Sequence, residues 1–227
     1  MRIDIISAVP DLLESPLHTS INKRAQDKGL VEIVIHNLRD YAYDKHKQID
    51  DKPFGGGAGM LLKPEPFFEC IEKLQNERKY DHIIFTTPKG KIYDQPTANK
   101  FSLAENIIII AGHYKGIDDR VRERFATDEI SIGNFVLSGG ELLALVIADS
   151  IVRLIPGVLN DGESALSDSF QTGEEVEAPY YTRPAEYKGM KVPEILLSGH
   201  DKKIAEWKDE QSKKLTEKWK NINSWSK

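Results

Sequence analysis

The feature that most constrains the fold is residues 106–158, where two predicted strands each end in a glycine-bearing loop. Residues 107–110 are four consecutive isoleucines, which predict a buried strand that breaks at Gly112. Residues 129–136 form a second extended run, and it leads through Leu-Ser-Gly-Gly-Glu to an apolar helix. Strands that end in glycine loops and continue toward helices build small-molecule sites in α/β proteins.

The glycines of these loops indicate how a ligand would be held. Glycine permits a positive φ and lets a ligand approach bare backbone N–H and C=O groups. Gly133, Gly139 and Gly140 therefore suggest a ligand bound mainly by main chain. Tight turns that bind nothing remain the alternative on these residues alone.

Composition limits the class of protein. With 227 residues and 40% apolar residues, the chain can bury a substantial core, and the 30% of charged residues favour solubility. We expect a cytoplasmic protein, since no long uncharged apolar window and no signal-peptide pattern occur. The single cysteine, Cys70, excludes an internal disulfide and is expected in the core.

The net charge of −5 argues mildly against a general nucleic-acid binder, although local charge differs. Residues 199–227 contain eight lysines and five acidic residues. This basic segment is either a solvated helix or a surface that contacts phosphates.

Hydrophobic periodicity predicts an α/β fold with a mostly parallel sheet. Strands are expected at residues 2–7, 31–37 and 81–87, and helices at 11–26, 64–78, 96–104 and 141–154. The helix at 11–26 is expected to be interrupted or kinked near Pro16 and to stop at Gly29. The βαβ order predicts parallel pairing with right-handed crossovers.

Two irregular segments stand out. Residues 38–60 form a long loop whose glycines match neither a Rossmann fingerprint nor a P-loop. Its lysines and tyrosines suit RNA contact, whereas an ordinary surface loop is the alternative. Residues 156–178 are rich in Gly, Ser, Asp and Glu, contain no Lys or Arg, and predict a mobile linker.

The amino-acid sequence also resembles that of a known family. GHYKGIDDRV, ISIGNFVLSGGEL and SIVRLIPGVL in the middle of the chain are similar to signatures of the bacterial tRNA (guanine-N1)-methyltransferases, the TrmD family of the SPOUT class. MRIDIISAVPDLL, DDKPFGGGAGM and YYTRPAEYKGMKVPEILLSGHDKKIAEWK extend the resemblance over nearly the whole chain. The resemblance implies a parallel α/β sheet with a deep trefoil knot and a small helical C-terminal domain.

It also implies three regions and an assembly. These are a knotted S-adenosylmethionine-binding catalytic domain at 1–156, a flexible linker or lid at 157–178, and a helical tRNA-binding domain at 179–227. The implied reaction methylates N1 of the guanosine at tRNA position 37, immediately 3′ of the anticodon. The implied assembly is an antiparallel homodimer with an active site shared between subunits.

The resemblance implies functional roles for the residues of this chain that match the family's motifs. The Asp-Ser-Phe motif makes Asp168 the implied general base, and the arginine before Ile-Pro-Gly-Val makes Arg153 the group that stabilises charge on guanine O6. Without the resemblance, Asp168 would be interpreted as a solvated loop residue, and Arg153 as a positive charge that complements the C-terminal end of its helix. The implied cofactor-binding residues are Thr86, Thr87, Pro88, Gly90, Gly112, Tyr114, Ser131, Ile132, Gly133, Leu137, Gly139 and Gly140. The implied tRNA-binding residues are Lys52, Gly55, Gly56, Gly57, Gly59, Glu177 and Arg183.

The resemblance makes Mg²⁺ involvement plausible in catalysis, without a dedicated protein site. The chain departs from the family pattern at Lys115, where an acid is usual, and at Ala58 and Leu143, where proline is common. Two other functions stay open: a knotted methyltransferase that modifies a ribose 2′-oxygen, and a nucleotide- or RNA-binding α/β protein without catalysis.

Overall fold

The computed structural model describes residues 1–159, 168–171 and 173–223. The chain divides into two compact units, Met1–Asn160 and Asp161–Lys227.

The first unit is built on a five-stranded sheet in the order β2-β1-β6-β5-β7. All neighbouring strands in this sheet pair in parallel, which confirms the predicted α/β class. The deep knot stays a prediction. The strands are β1 (Arg2–Ser7), β2 (Glu32–Asn37), β5 (His82–Ile92), β6 (Asn106–Ile110) and β7 (Asp128–Ser131), and a separate antiparallel pair is formed by β3 (Asp50–Asp51) and β4 (Leu61–Leu62).

Helices cover both faces of the sheet. They are α1 (Asp11–Leu17), α2 (Ser20–Asp27), α3 (Pro64–Glu77), α4 (Gln95–Ser102), α5 (Asp119–Phe125) and α6 (Glu141–Val152). Alternate isoleucines of β6 point into different cores: Ile107 and Ile109 pack with α1, α4 and α6, and Ile108 and Ile110 pack with α3 and α5. Burial on both faces explains the unbroken apolar run in the sequence.

The first predicted helix is two helices. α1 ends at Leu17 and α2 begins at Ser20. The break comes shortly after Pro16, which lies inside α1 and lacks the N–H for a helical hydrogen bond. Gly29 ends α2 in a left-handed conformation with φ +68°, as expected for a glycine stop. The sequence analysis missed α5, whose seven residues bury Val121 and Phe125 and are otherwise mostly charged.

Two strand ends differ from the prediction. The loop expected after Thr87 is a bulge within a longer strand, because Thr86 and Lys91 both pair with Ile130 and β5 continues to Ile92. Conversely, β7 ends at Ser131 and does not continue to Val136. The chain turns there at Gly133, whose φ of +148° is unavailable to most side chains.

The second unit contains a two-stranded hairpin of β8 (Glu186–Tyr187) and β9 (Met190–Lys191), a short α7 (Glu194–Leu197), and the long α8 (Asp201–Asn223). The described part of the predicted lid packs on α8. The Val176 N–H donates to Thr216 Oγ1 at 2.9 Å, and the Phe170 ring lies 5.1 Å from that of Trp219. Residues 160–167 and 172 of that lid lie outside the described residues.

A buried carboxylate joins β1 to its surroundings. Asp4 is fully buried and accepts hydrogen bonds from Arg2 Nη2 at 2.8 Å and Tyr80 Oη at 2.8 Å, and His36 Nε2 lies 2.7 Å from it. Burial alone would raise the pKa of this carboxyl, but the contacts with His36, Arg2 and Tyr80 outweigh it and lower the pKa to about 2. The carboxylate therefore stays charged throughout the neutral range.

We expect Asp4→Asn to lower the free energy of unfolding by about 3 kcal/mol at pH 7, because it leaves the Arg2 guanidinium without its buried partner. A carboxyl with a lowered folded-state pKa stabilises the fold above its unfolded pKa of about 4, and that stability is lost as the pH falls toward 2. Urea unfolding at pH 7 and pH 3 measures both effects. Asp27→Asn, which breaks an exposed pair with Lys23, should cost no more than about 1 kcal/mol. Equal losses for the two variants would contradict the prediction.

Candidate active site

A cleft opens at the carboxyl ends of β5, β6 and β7, where parallel sheets commonly bind ligands. Its open volume is about 620 Å³. Three segments line it: the start of the β5 bulge (86–88), the loop after β6 (112–116) and the loop between β7 and α6 (131–140). The second and third of these segments are the glycine-bearing loops predicted from the sequence.

The structure brings ten of the twelve proposed cofactor-binding residues together in this cleft. They are Thr86, Thr87, Pro88, Gly112, Tyr114, Ser131, Ile132, Leu137, Gly139 and Gly140. Gly90 and Gly133 do not line it. Gly90 packs on β7, since an added Cβ would lie 2.5 Å from the Ile130 nitrogen, and Gly133 shapes the turn after β7.

Two of the lining loops pair directly. His113 and Gly139 form an antiparallel bridge, and the Gly140 N–H donates to the Gly112 carbonyl at 2.6 Å. A Cβ added at Gly140 would overlap Thr86 Oγ1, and one at Gly139 would overlap the Glu141 carboxylate. Glycine is required at both positions because protein segments approach closely, and neither φ is positive.

Two hydroxyls of the cleft hold its backbone. Thr86 is buried; its Oγ1 donates to the Ile110 carbonyl at 2.8 Å and accepts from the Gly112 N–H at 3.3 Å. Ser131 Oγ donates to the Gly133 carbonyl at 3.1 Å. Both side chains therefore shape the loops, so a ligand would meet mainly main chain and apolar groups here.

A buried polar chain anchors the same loops and was missed in the sequence. Ser7 Oγ donates to Glu141 Oε1 at 2.8 Å, and His113 Nδ1 lies 3.5 Å from Glu141 Oε2. The Glu141 side chain is 1% exposed. Its position as the acidic first residue of an otherwise apolar helix was the available signal. Other cleft residues that were not predicted are Lys115, Gly116, Phe135, Val136, Ser138 and Leu143.

The glycine-rich loop proposed for RNA binding adjoins the cleft. Gly55, Gly56, Gly57 and Gly59 all have positive φ, between +80° and +108°, and they are exposed, as is Lys52. The Lys115 N–H donates to the Met60 carbonyl at 3.1 Å, which joins the end of this loop to a cleft-lining segment. These five proposed RNA-binding residues thus lie next to the cleft of the same unit.

The remaining proposed residues lie elsewhere. Arg153 follows the last residue of α6, and its N–H donates to the Asp149 carbonyl. Asp168 belongs to the second unit, where Ser169 Oγ accepts from the Glu177 N–H at 3.0 Å and the Phe170 N–H donates to the Glu175 carbonyl at 2.7 Å. These bonds hold the Asp-Ser-Phe motif in a compact loop.

Glu177 and Arg183 also belong to the second unit. Glu177 Oε1 accepts from Tyr180 Oη at 2.8 Å, and this contact raises the pKa of the Tyr180 hydroxyl. Arg183 lines a shallow pocket with Tyr181 and Leu197. An exposed tyrosine therefore adjoins each of these charged side chains.

No group of three or more His, Cys, Asp or Glu that could hold a metal ion occurs among the described residues. In the same residues, no helix is both long and apolar enough to cross a membrane. Cys70 is buried in the core, as expected.

A parallel α/β domain with a backbone-lined cleft at its strand ends is an architecture in which many α/β proteins bind small molecules. A sequence model of the family described as tRNA (Guanine-1)-methyltransferase TrmD matches residues 1–222. The chain belongs to this family, whose members are methyltransferase enzymes.

Curated relatives match over almost their full lengths. A tRNA (guanine-N(1)-)-methyltransferase from Bacteroides thetaiotaomicron is 60% identical over 218 residues, covering 96% of each chain. The Bacteroides fragilis enzyme of the same name is 61% identical, over 95% of this chain and 96% of its own. The enzyme from Chlorobaculum tepidum is 56% identical, over 95% of this chain and 94% of its own.

Proposed function

We propose that the protein transfers a methyl group from S-adenosylmethionine to N1 of guanosine 37 of tRNA, in the cytoplasm. The observation that carries the proposal is the cleft, which gathers ten residues proposed for the cofactor beside a glycine loop proposed for RNA. The names of the curated relatives support the tRNA substrate and the guanine N1 target.

The residues of the cleft fit the cofactor. Ile132, Leu137 and Leu143 offer apolar contact, and the paired glycine loops offer backbone groups. When bound, S-adenosylmethionine supplies an electrophilic methyl group on a sulfonium.

We assign proton removal to Asp168. Guanine N1 carries a proton that must leave as the methyl bond forms, and a carboxylate within hydrogen-bond reach can accept it. The compact loop that holds Asp168 limits the motion of this group. We assign the stabilisation of negative charge on guanine O6 to the planar Arg153 guanidinium.

Contacts with the RNA are assigned to both units. Lys52 and the four glycines at 55, 56, 57 and 59 would meet the strand near the cleft, and Arg183 and Glu177 would meet it from the second unit. Mg²⁺ stays a plausible participant without a dedicated site.

We propose a homodimer in which residues of one subunit complete the cleft of the other. Apolar side chains support this assembly, since Leu142 and Val146 of α6 and Phe135 and Val136 of the cleft loop are all exposed. Exposed apolar patches of this kind commonly mark interfaces.

Mixing Asp168→Asn and Arg153→Ala subunits is expected to restore activity in part of the heterodimers, because both lesions then fall in the same composite site and the other site is left intact. The measurement is methylation after subunit exchange, with exchange followed by native mass spectrometry. No recovery in fully exchanged samples would contradict a shared site, as would a monomer by light scattering.

The proposed function is tested by incubating the protein with methyl-labelled S-adenosylmethionine and unmodified tRNA, then mapping the labelled nucleoside. We expect 1-methylguanosine at position 37. A label on a ribose 2′-oxygen would identify the other knotted methyltransferase activity, and binding without transfer would identify a non-catalytic protein.

A further inference from the structure

Lys115 brings a positive charge to the junction of the cleft and the glycine loop. It is exposed, and among the described residues that line the cleft it is the sole lysine or arginine. In the described part of the chain its ammonium forms no ion pair with a carboxylate. An exposed cation of this kind favours an anionic ligand.

The backbone fixes where this charge lies. Tyr114 and Gly116, on either side of Lys115, have φ of +58° and +137°. The Lys115 N–H donates to the Met60 carbonyl at 3.1 Å, and the Leu62 N–H donates to the Gly116 carbonyl at 3.0 Å. A positive φ at a residue other than glycine is strained and is concentrated at functional sites.

The side chain of Lys115 runs along the glycine loop. A Cβ added at Gly59 would lie 3.5 Å from the Lys115 Cβ, and one added at Gly57 would lie 3.2 Å from its Nζ. The ammonium is therefore beside exposed, side-chain-free backbone. A lysine beside exposed backbone that no side chain covers suits a phosphate.

The same loop carries an aromatic ring in solvent. Phe54 is 101% exposed, although burying a phenylalanine would be favourable. Exposed aromatic rings in RNA-binding proteins stack on unpaired bases. A cation that can bind a phosphate and a ring that can stack on a base together suit a nucleotide in a single strand.

We propose that Lys115, the glycines at 55–59 and Phe54 form a nucleotide subsite at the cleft entrance. Lys115 binds a phosphodiester of the RNA strand that enters the cleft, and Phe54 stacks on an unpaired base of that strand. This inference rests on the proposed function, because it takes the ligand to be the RNA substrate.

The test compares Lys115→Gln, Lys115→Arg and Phe54→Ala in the full-length protein. Fluorescence anisotropy gives the Kd for unmodified tRNA between 50 and 300 mM KCl, and calorimetry gives the Kd for S-adenosylmethionine. Lys115→Gln should weaken tRNA binding by about five- to tenfold at low salt and reduce the slope of log Kd against log salt by about 0.7–0.9, the value for one phosphate. Lys115→Arg should restore both values.

Phe54→Ala should weaken tRNA binding by about fivefold or more without changing the salt slope, because stacking releases no counterions. Lys23→Gln is the matched control, since Lys23 lies on α2 in an exposed pair with Asp27, and it should match wild type. An unchanged salt slope in Lys115→Gln would overturn the phosphate contact. A loss of cofactor affinity with intact tRNA affinity would instead assign Lys115 to the cofactor carboxylate and overturn the proposal. Transfer to guanine N1 by the wild-type protein tests the proposed function separately.

Discussion

Asp168→Asn is expected to lower turnover by about 100-fold or more while leaving the Kd for tRNA and for S-adenosylmethionine within about twofold of wild type. The amide keeps the shape of the carboxylate but cannot accept the guanine N1 proton. The Ser169–Glu177 and Phe170–Glu175 hydrogen bonds are made by other groups and remain available in this variant. Single-turnover kinetics with saturating cofactor and tRNA measures the loss.

Glu174→Gln provides the matched control, because Glu174 is an acidic residue of the same segment and pairs with Lys220 on α8. It should keep near-wild-type turnover. Arg153→Lys should also be severely impaired, since a point charge cannot reproduce a planar, forked donor. Turnover of Asp168→Asn within a few-fold of wild type would remove this residue from the role of base.

Gly140→Ala is expected to lower cofactor affinity at least tenfold and the free energy of unfolding by about 1–3 kcal/mol, the usual cost of overpacking. The added methyl would overlap Thr86 Oγ1 and lie 2.9 Å from the Gly112 nitrogen. Relief requires the two paired loops to separate, which would break the Gly140–Gly112 hydrogen bond. Calorimetric titration with S-adenosylmethionine and thermal unfolding measure the two effects.

Gly112→Ala distinguishes two causes of lost cofactor affinity: distortion of the protein and direct steric contact with the ligand. A Cβ at Gly112 would lie 3.5 Å from Ile117, an ordinary van der Waals distance, so stability should change little. A loss of cofactor affinity in this variant would then report direct contact with the ligand. If Gly140→Ala binds the cofactor and unfolds like wild type, the close pairing of the loops does not shape the cleft.

The sheet was predictable because its strands are buried on both faces. Ile107–Ile110 can only be a core strand, and the alternation of the βαβ segments predicts parallel pairing. Strand ends were less predictable. The bulge at 87–90 depends on how β5 meets β7, a contact between distant segments that no local pattern of residues encodes.

The candidate site, like the sheet, was predictable in part. The pattern of strands and glycines predicted the loops after β6 and β7, and resemblance to a family supplied the individual cofactor-binding residues. The reasons for the glycines came from the structure. Gly139 and Gly140 are needed because His113, Glu141 and Thr86 approach them from other elements. The chain of Ser7, Glu141 and His113 was missed because its members are separated by up to 134 residues in sequence.

The Asp-Ser-Phe loop is attached to α8. The presence of Asp168 in the chain is therefore not enough for its proposed role, because the loop that carries it must also be held in place. Ser212 Oγ donates to the Val176 carbonyl at 2.7 Å, Thr216 Oγ1 accepts from the Val176 N–H, and Trp219 packs on Phe170. A chain cut short before Ser212 would still contain Asp168 but would lack these three supports. Premature stop codons far downstream of Asp168 would thus be as damaging to the enzyme as substitutions close to it, and α8 is poorly suited to a designed deletion.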